Sequence, residues 1–185
     1  MITDSPDGIK QLNTLIELSA LINSSLDIAE IRKRSIQAVT ELVNAEAGSL
    51  LFLDGDTGEL YFDVAIGEKG EHIKTIRLKR GEGIAGWVVE HNEPVIINDV
   101  QNDSRFFKGG DEKSDFTTKN MICVPVKTKD RLVSMPQAIN KNDSSFSTSA
   151  LDLLVGLFNQ VAIAIENARL YNAFFKAYKE MEIVI

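Results

Sequence analysis

The chain has 185 residues, 44% of them hydrophobic, enough for the core of one domain. Its 20 Lys and Arg against 27 Asp and Glu leave a net charge of −7 with no long basic run, which argues against DNA or RNA as a direct partner. One cysteine, Cys123, excludes an internal disulfide, a CxxC redox pair and a thiolate metal cluster, and a reducing, cytoplasmic setting is expected.

The opening MITDSPDG lacks the basic and apolar regions of a signal peptide, and no uninterrupted apolar run approaches the roughly 18 residues of a membrane span, so no membrane contact is expected. Over residues 8–23, Ile9, Leu12, Leu15, Ile16 and Ile22 recur at helical spacing, after a start signal in Ser5, Pro6 and Asp7. A second helix is predicted over 27–44, with Asp27 as N-cap and Glu30 completing a capping-box-like pair. The period then changes. SLLFL (49–53) and LYFDVAI (60–66) flank the turn-rich DGDTG and read as an antiparallel hairpin. Its acidic residues do not make a calcium loop, because Glu59 and Ala65 stand where an EF-hand needs glycine and glutamate.

Residues 73–80 alternate between charged positions and a face carrying Ile76 and Leu78, as a half-exposed strand would. GEGIAG (81–86) follows, and it matches the GxGxxG fingerprint of a dinucleotide-binding turn, with Asp99 eighteen positions after the first glycine. Three features exclude that reading. The preceding strand is half charged, the following helix is only about two turns long, and the next two strands are joined by a four-residue turn that makes them antiparallel. Gly81 and Gly83 are read instead as positive-φ positions and Gly86 as a close packing point.

After a strand at 95–98, residues 99–119 form a polar loop with Phe106 and Phe107 embedded in it. Residues 121–126 and 131–139 make a second hairpin, in which Pro136 should interrupt, bulge or edge its strand. A long helix begins near Ser147, and Ile163, Asn167, Leu170, Phe174, Ala177, Met181 and Val184 fall on a heptad seam. That seam faces either a second copy of the chain or the protein's own first helix. Cys123 lies in the apolar MICVPV and reads as a core residue, and His72 and His91 stand alone, so no metal site is expected.

Together, LKRGEGIAGWVVEHNEPVIINDV, DSRF, TTKNMICVPV, INK and QVAIAIENARLY, in this order, resemble a GAF domain, and the resemblance covers nearly the whole chain. It implies a single α+β domain of GAF/PAS-like type. A central antiparallel sheet would carry the N- and C-terminal helices on one face, with a short helix and a long loop roofing a pocket on the other. The chain divides accordingly into an N-terminal helix (1–26), a sheet core (27–146) and a long signalling and dimerisation helix (147–185).

By resemblance to the cyclic-nucleotide-binding branch, the ligand contacts fall on Ser49, Ile84, Ala85, Phe107, Asp111, Ser114 and Thr118. Phe107 would stack on a planar ring and the polar members would supply hydrogen bonds. The chain departs from that branch at Val64 and Ala65, where an aromatic and an acidic residue often read the purine. It departs again after the matching Asn140, Lys141 and Phe146, since Ala150 replaces the acid that pairs with the lysine. The resemblance implies a non-catalytic sensory domain of a bacterial-type signalling protein. It would bind a cyclic nucleotide or another small molecule, dimerise through Ile163, Asn167, Leu170, Phe174, Ala177 and Met181, and signal to a covalently linked effector domain. A dimerisation spacer without a ligand is the alternative.

Overall fold

The computed structural model describes residues 6–68, 70–128, 131–142 and 144–182. Helices α1 (Pro6–Asn23) and α2 (Ile28–Leu42) open the chain. Asp27 caps α2 by accepting from the Ala29 and Glu30 N–H groups, a contact worth about 1 kcal/mol. The reciprocal half of the expected capping box is absent. Glu30 bonds Arg34 one turn on at 2.7 Å, and the Asp27 N–H turns to the Ser25 hydroxyl instead.

Strands β1 (Ala45–Leu53) and β2 (Leu60–Ile66) form the expected hairpin. Its turn is fixed by Asp54, whose carboxylate accepts from the Asp56 and Thr57 N–H groups. Residues 73–80 are not one strand. A four-residue helix, α3 (Gly70–Ile73), is followed by a tight turn in which the Ile76 N–H bonds the Ile73 carbonyl, and only β3 (Arg77–Leu78) pairs with β2. The alternation that suggests a strand is shared between two elements, since Ile73 belongs to the helix while Ile76 and Leu78 follow the turn.

Helix α4 (Gly83–His91) and strand β4 (Val95–Ile97) come next. Residues 99–119 hold a 3-10 turn (Val100–Asn102) and a short helix, α5 (Gly109–Ser114), rather than an unstructured loop. The GGDEKS of α5 has no apolar periodicity by which it could be recognised. The second hairpin is β5 (Met121–Cys123) and β6 (Val126–Thr128) against β7 (Arg131–Lys141), and α6 (Thr148–Glu182) closes the chain.

All strand pairs are antiparallel, in the order β3-β2-β1-β7-β5-β4 with β6 also on β7. Side chains of alternate parity therefore build two cores. Leu50, Phe52, Ile122 and Ala138 pack with Ile22 of α1, Ile31 and Ile36 of α2, and Leu154 and Phe158 of α6. Leu51, Met121 and Met135 pack on the other face with Ile76, Leu78, Ile84 and Val88.

Pro136 runs counter to expectation, because β7 is continuous and central and Pro136 pairs with Leu50 of β1. The Pro136 carbonyl accepts from the Val124 N–H, so the missing donor points to the same side, toward β5 and β6. The gap therefore appears in the neighbour, which breaks at Val124 and Pro125 into two strands, and the register held from Cys123 to Val126 shifts between Val126 and Lys127.

The segment Thr148–Met181 of α6 has, by length and composition, what a membrane crossing requires, which counting uninterrupted runs does not reveal. Leu153, Leu154, Leu157, Phe158, Val161 and Ala164 of this helix are buried in the core, which accounts for much of that hydropathy.

Candidate ligand pocket

A cavity of about 100 Å3 lies between the far face of the sheet and a roof made by α3, the start of α4, and residues 106–118. Its floor is Ala47 and Gly48 of β1, Phe62 and Ile66 of β2, and Gln137 and Ile139 of β7. Most of the lining is apolar, as in sites where a few polar groups orient a largely buried ligand.

GEGIAG positions one wall. Gly81 and Gly83 take φ of +80° and +69°, which lets the chain turn from β3 into α4. A side chain at Gly86 would stand 2.9 Å from backbone atoms of Gly81 and Lys79, so the helix rests directly on the chain that leads into it. The Glu82 carboxylate accepts from the Lys79 N–H and does not cap α4. Ile84 and Ala85 thus bring an uncapped helix N-terminus to the cavity wall.

Among the residues expected to touch a ligand, Ile84, Ala85, Phe107, Asp111 and Thr118 line the cavity. Asp111 is already engaged. Its carboxylate accepts from the Thr118 N–H at 2.8 Å, the Thr118 hydroxyl at 2.6 Å and the Gln101 amide at 3.0 Å, tying α5 to the chain that enters β5. Ser114 ends α5, and its side chain lies outside the described atoms.

Ser49 does not line the cavity, although it lies on the same face of the sheet as Gln137 and is fully buried. It faces Gln137 across the β1–β7 ladder and donates its hydroxyl to Gln137 Oε1 at 3.0 Å. Gln137, absent from the sequence reading, is the polar side chain of the sheet floor. Its amide nitrogen donates to Cys123 Sγ at 3.6 Å, so Ser49 and Cys123 orient it from both ends. The only sequence sign was a glutamine interrupting an otherwise apolar stretch, MPQAI.

Burial pushes the Cys123 thiol up to about 12. A thiol held neutral in this way is no nucleophile at neutral pH. Among the described residues no group of His, Cys, Asp and Glu is placed to hold a metal.

A second fastening lies beside the cavity. Arg105 forms a two-pronged ion pair with Asp103, at 2.9 and 2.7 Å, and its guanidinium covers the Trp87 ring at 4.7 Å. Trp87 in turn stacks on His91 at 4.1 Å. The Arg105 hydrogen bond holds the Asp103 carboxyl below its ordinary range.

The Asn140-Lys141 pair makes structural contacts. The Asn140 amide nitrogen bonds the Glu46 carboxylate and the Thr117 carbonyl, and Lys141 Nζ bonds the Val43 carbonyl. Ala150, in the place of an acid, is buried in the helix-side core.

The heptad seam is not covered by α1. Ile163, Leu170, Phe174 and Met181 are 52%, 57%, 71% and 62% exposed, and Asn167 and Ala177 are exposed as well. Val184 lies outside the described residues. The face of α6 that meets the domain is a different one, through Leu154, Leu157, Val161, Ala164 and Ala168.

A family model described as GAF domain matches residues 25–166. A dual 3',5'-cyclic-AMP and -GMP phosphodiesterase 11A of Takifugu rubripes is 30% identical over 178 residues, which cover 88% of this chain and 19% of that protein. The chain spans about a fifth of the length of the first curated relatives it matches. Because they include eukaryotic proteins, a bacterial origin gains no support. Among solved structures, the GAF domain from a phosphoenolpyruvate-protein phosphotransferase of Coxiella burnetii is similar with a TM-score of 0.79 and 22% identity, covering 89% of this chain and 98% of that one. A free methionine-R-sulfoxide reductase from Neisseria meningitidis, solved with its substrate, is similar with a TM-score of 0.77 and 15% identity, covering 91% of this chain and 96% of that one. These likenesses establish the fold, and one of the proteins that share it is an enzyme.

Proposed function

The chain belongs to the GAF domain family, a family of regulatory and sensory modules, and from that premise we propose that it binds a small molecule in the roofed cavity without transforming it. The observation that carries this reading is the cavity itself. It is a largely apolar, half-open recess whose floor holds one oriented amide, Gln137, and whose wall holds the uncapped start of α4. Such a site suits a compact, largely apolar or aromatic body with a polar edge for the amide and an anionic group for the helix terminus. A cyclic nucleotide has these features, and the similarity to cyclic-nucleotide phosphodiesterases makes it the first probe. Phe107 on the cavity wall is then the stacking partner of the base.

A non-catalytic role is supported by the chemistry of the walls. Cys123 is a buried neutral thiol bonded to Gln137, and it has no second cysteine with which to run a redox cycle. In the functional molecule the exposed seam of α6, with α1 beside it, joins two copies, and ligand occupancy is passed along α6 to a linked effector in the cytoplasm.

Two observations favour the spacer alternative. Val64 and Ala65 offer no purine-reading groups, and Asp111 is satisfied within the chain. Native mass spectrometry of the purified chain, followed by thermal melts with cyclic AMP and cyclic GMP, separates the readings. A dimer with a bound small mass, or a nucleotide that raises the Tm, supports the sensor. A bare dimer whose Tm neither nucleotide moves favours the spacer, and an empty monomer counts against both.

A further inference from the structure

The roof is fastened at its base to the start of the output helix by asparagine side chains. The two ends of the segment meet, since the Val100 N–H donates to the Lys119 carbonyl at 2.9 Å. Just before the segment, Asn98 holds Phe146 by both of its backbone groups. Its amide nitrogen donates to the Phe146 carbonyl at 3.1 Å, and its oxygen accepts from the Phe146 N–H at 2.9 Å. Just after the segment, Asn120 accepts from the Lys141 N–H at 2.8 Å and donates to the Ser144 carbonyl at 3.4 Å. Asn140 accepts from the Lys119 N–H at 2.7 Å and donates to the Thr117 carbonyl at 2.8 Å.

Phe146 and Ser147 are the last residues before α6. The Phe146 ring is buried in the core shared by α1, α2 and α6, and Ser147 bonds the Ala150 N–H at the first turn of the helix. A shift at the base of the roof therefore meets the start of α6 directly through hydrogen bonds.

We infer that Asn98 couples the state of the roof to α6, clamping the base of residues 99–119 to Phe146 so that opening of the roof loosens the first turns of the output helix. The inference rests on the sensory reading above and assigns its transmission. Asn98 is not among the cavity-lining residues and acts through Phe146, so it is a positioning residue. The coupling runs in both directions, as any coupling between two equilibria must.

Hydrogen–deuterium exchange of the full chain tests this without a ligand, so its failure leaves the ligand-binding reading standing. Asp111→Ala removes the acceptor for Thr118 and Gln101 and opens the roof from its tip. With Asn98 in place, exchange is expected to rise by at least about fivefold both in residues 99–119 and at the start of α6. In Asn98→Ala/Asp111→Ala, measured against Asn98→Ala alone, the roof still responds and α6 does not. Asn98→Asp keeps an acceptor for the Phe146 N–H but loses the donor to its carbonyl, so it should transmit only part of the response, and it carries the same test if Asn98→Ala does not fold. An equal rise at α6 with and without Asn98 overturns the inference. So does an unchanged α6 in Asp111→Ala with Asn98 in place.

Discussion

At the scale of residues, what holds the roof is charge placed where water is scarce. The Asp103 carboxylate is only 16% exposed and is gripped by Arg105, which also lies over Trp87. A carboxyl whose folded pKa lies below its unfolded value contributes stability above the unfolded pKa, near 4, and loses it as pH falls through the folded value. Asp103→Asn should therefore cost about 1 kcal/mol at pH 7, discounted for the partial exposure of Arg105. The difference from the parent protein should shrink as the pH drops below about 4, where Asp103 is neutral in both. Urea titrations across pH, read by the fluorescence of Trp87, the sole tryptophan, measure this directly. A cost that stays constant down to pH 2 would show that the ion pair contributes shape and not charge. The same scale explains why Gln137, and not its hydrogen-bond partner Ser49, reaches the cavity. Which strand residues reach the cavity depends on what covers them across the ladder, and that is set by the β1–β7 register.

At the scale of elements, GEGIAG is a packing device, and its last glycine is where that claim is sharpest. A methyl group at Gly86 would meet backbone atoms of Gly81 and Lys79 at 2.9 Å, which only a shift of α4 can relieve. Gly86→Ala should cost about 1–3 kcal/mol despite alanine's better helix propensity, whereas Gly55→Ala, with nothing within 4 Å, should cost almost nothing. Equal costs in denaturant titrations would return the motif to a role other than packing. The long amphipathic helices and the first hairpin were legible because their period repeats over many residues. The two-residue β3 and the six-residue α5 were not, being too short for any period to show. Pro136 was legible as an irregularity, but its location was not. A missing donor disturbs whichever neighbour it faces, and the sequence does not say which side of β7 that is.

At the scale of the whole molecule, the domain keeps one face of α6 and part of α1 outside its own core. Ile163, Leu170, Phe174 and Met181 are each more than half exposed, as are Ile9 and Ile16 of the neighbouring helix α1. Covering the four α6 side chains in each of two copies would yield on the order of 1–2 kcal/mol apiece, because each is already partly buried. That sum is comparable to the roughly 4–15 kcal/mol that association costs, so in the proposed dimer the α6 seam alone would be marginal and the α1 stripe would have to contribute. Two substitutions then have distinct expected outcomes. If the chain dimerises as proposed, Phe174→Glu should yield a monomer in sedimentation experiments at micromolar concentration, while Ile16→Glu should weaken association so that dissociation becomes visible on dilution. Lys176→Glu, two positions on and about 200° around the helix, should leave association unchanged. None of the three should lower the stability of the monomeric fold, since all three side chains are exposed in the single chain. If Phe174→Glu still sediments as a dimer, the copies meet elsewhere, and the route from roof to output would have to leave α6 before Leu170.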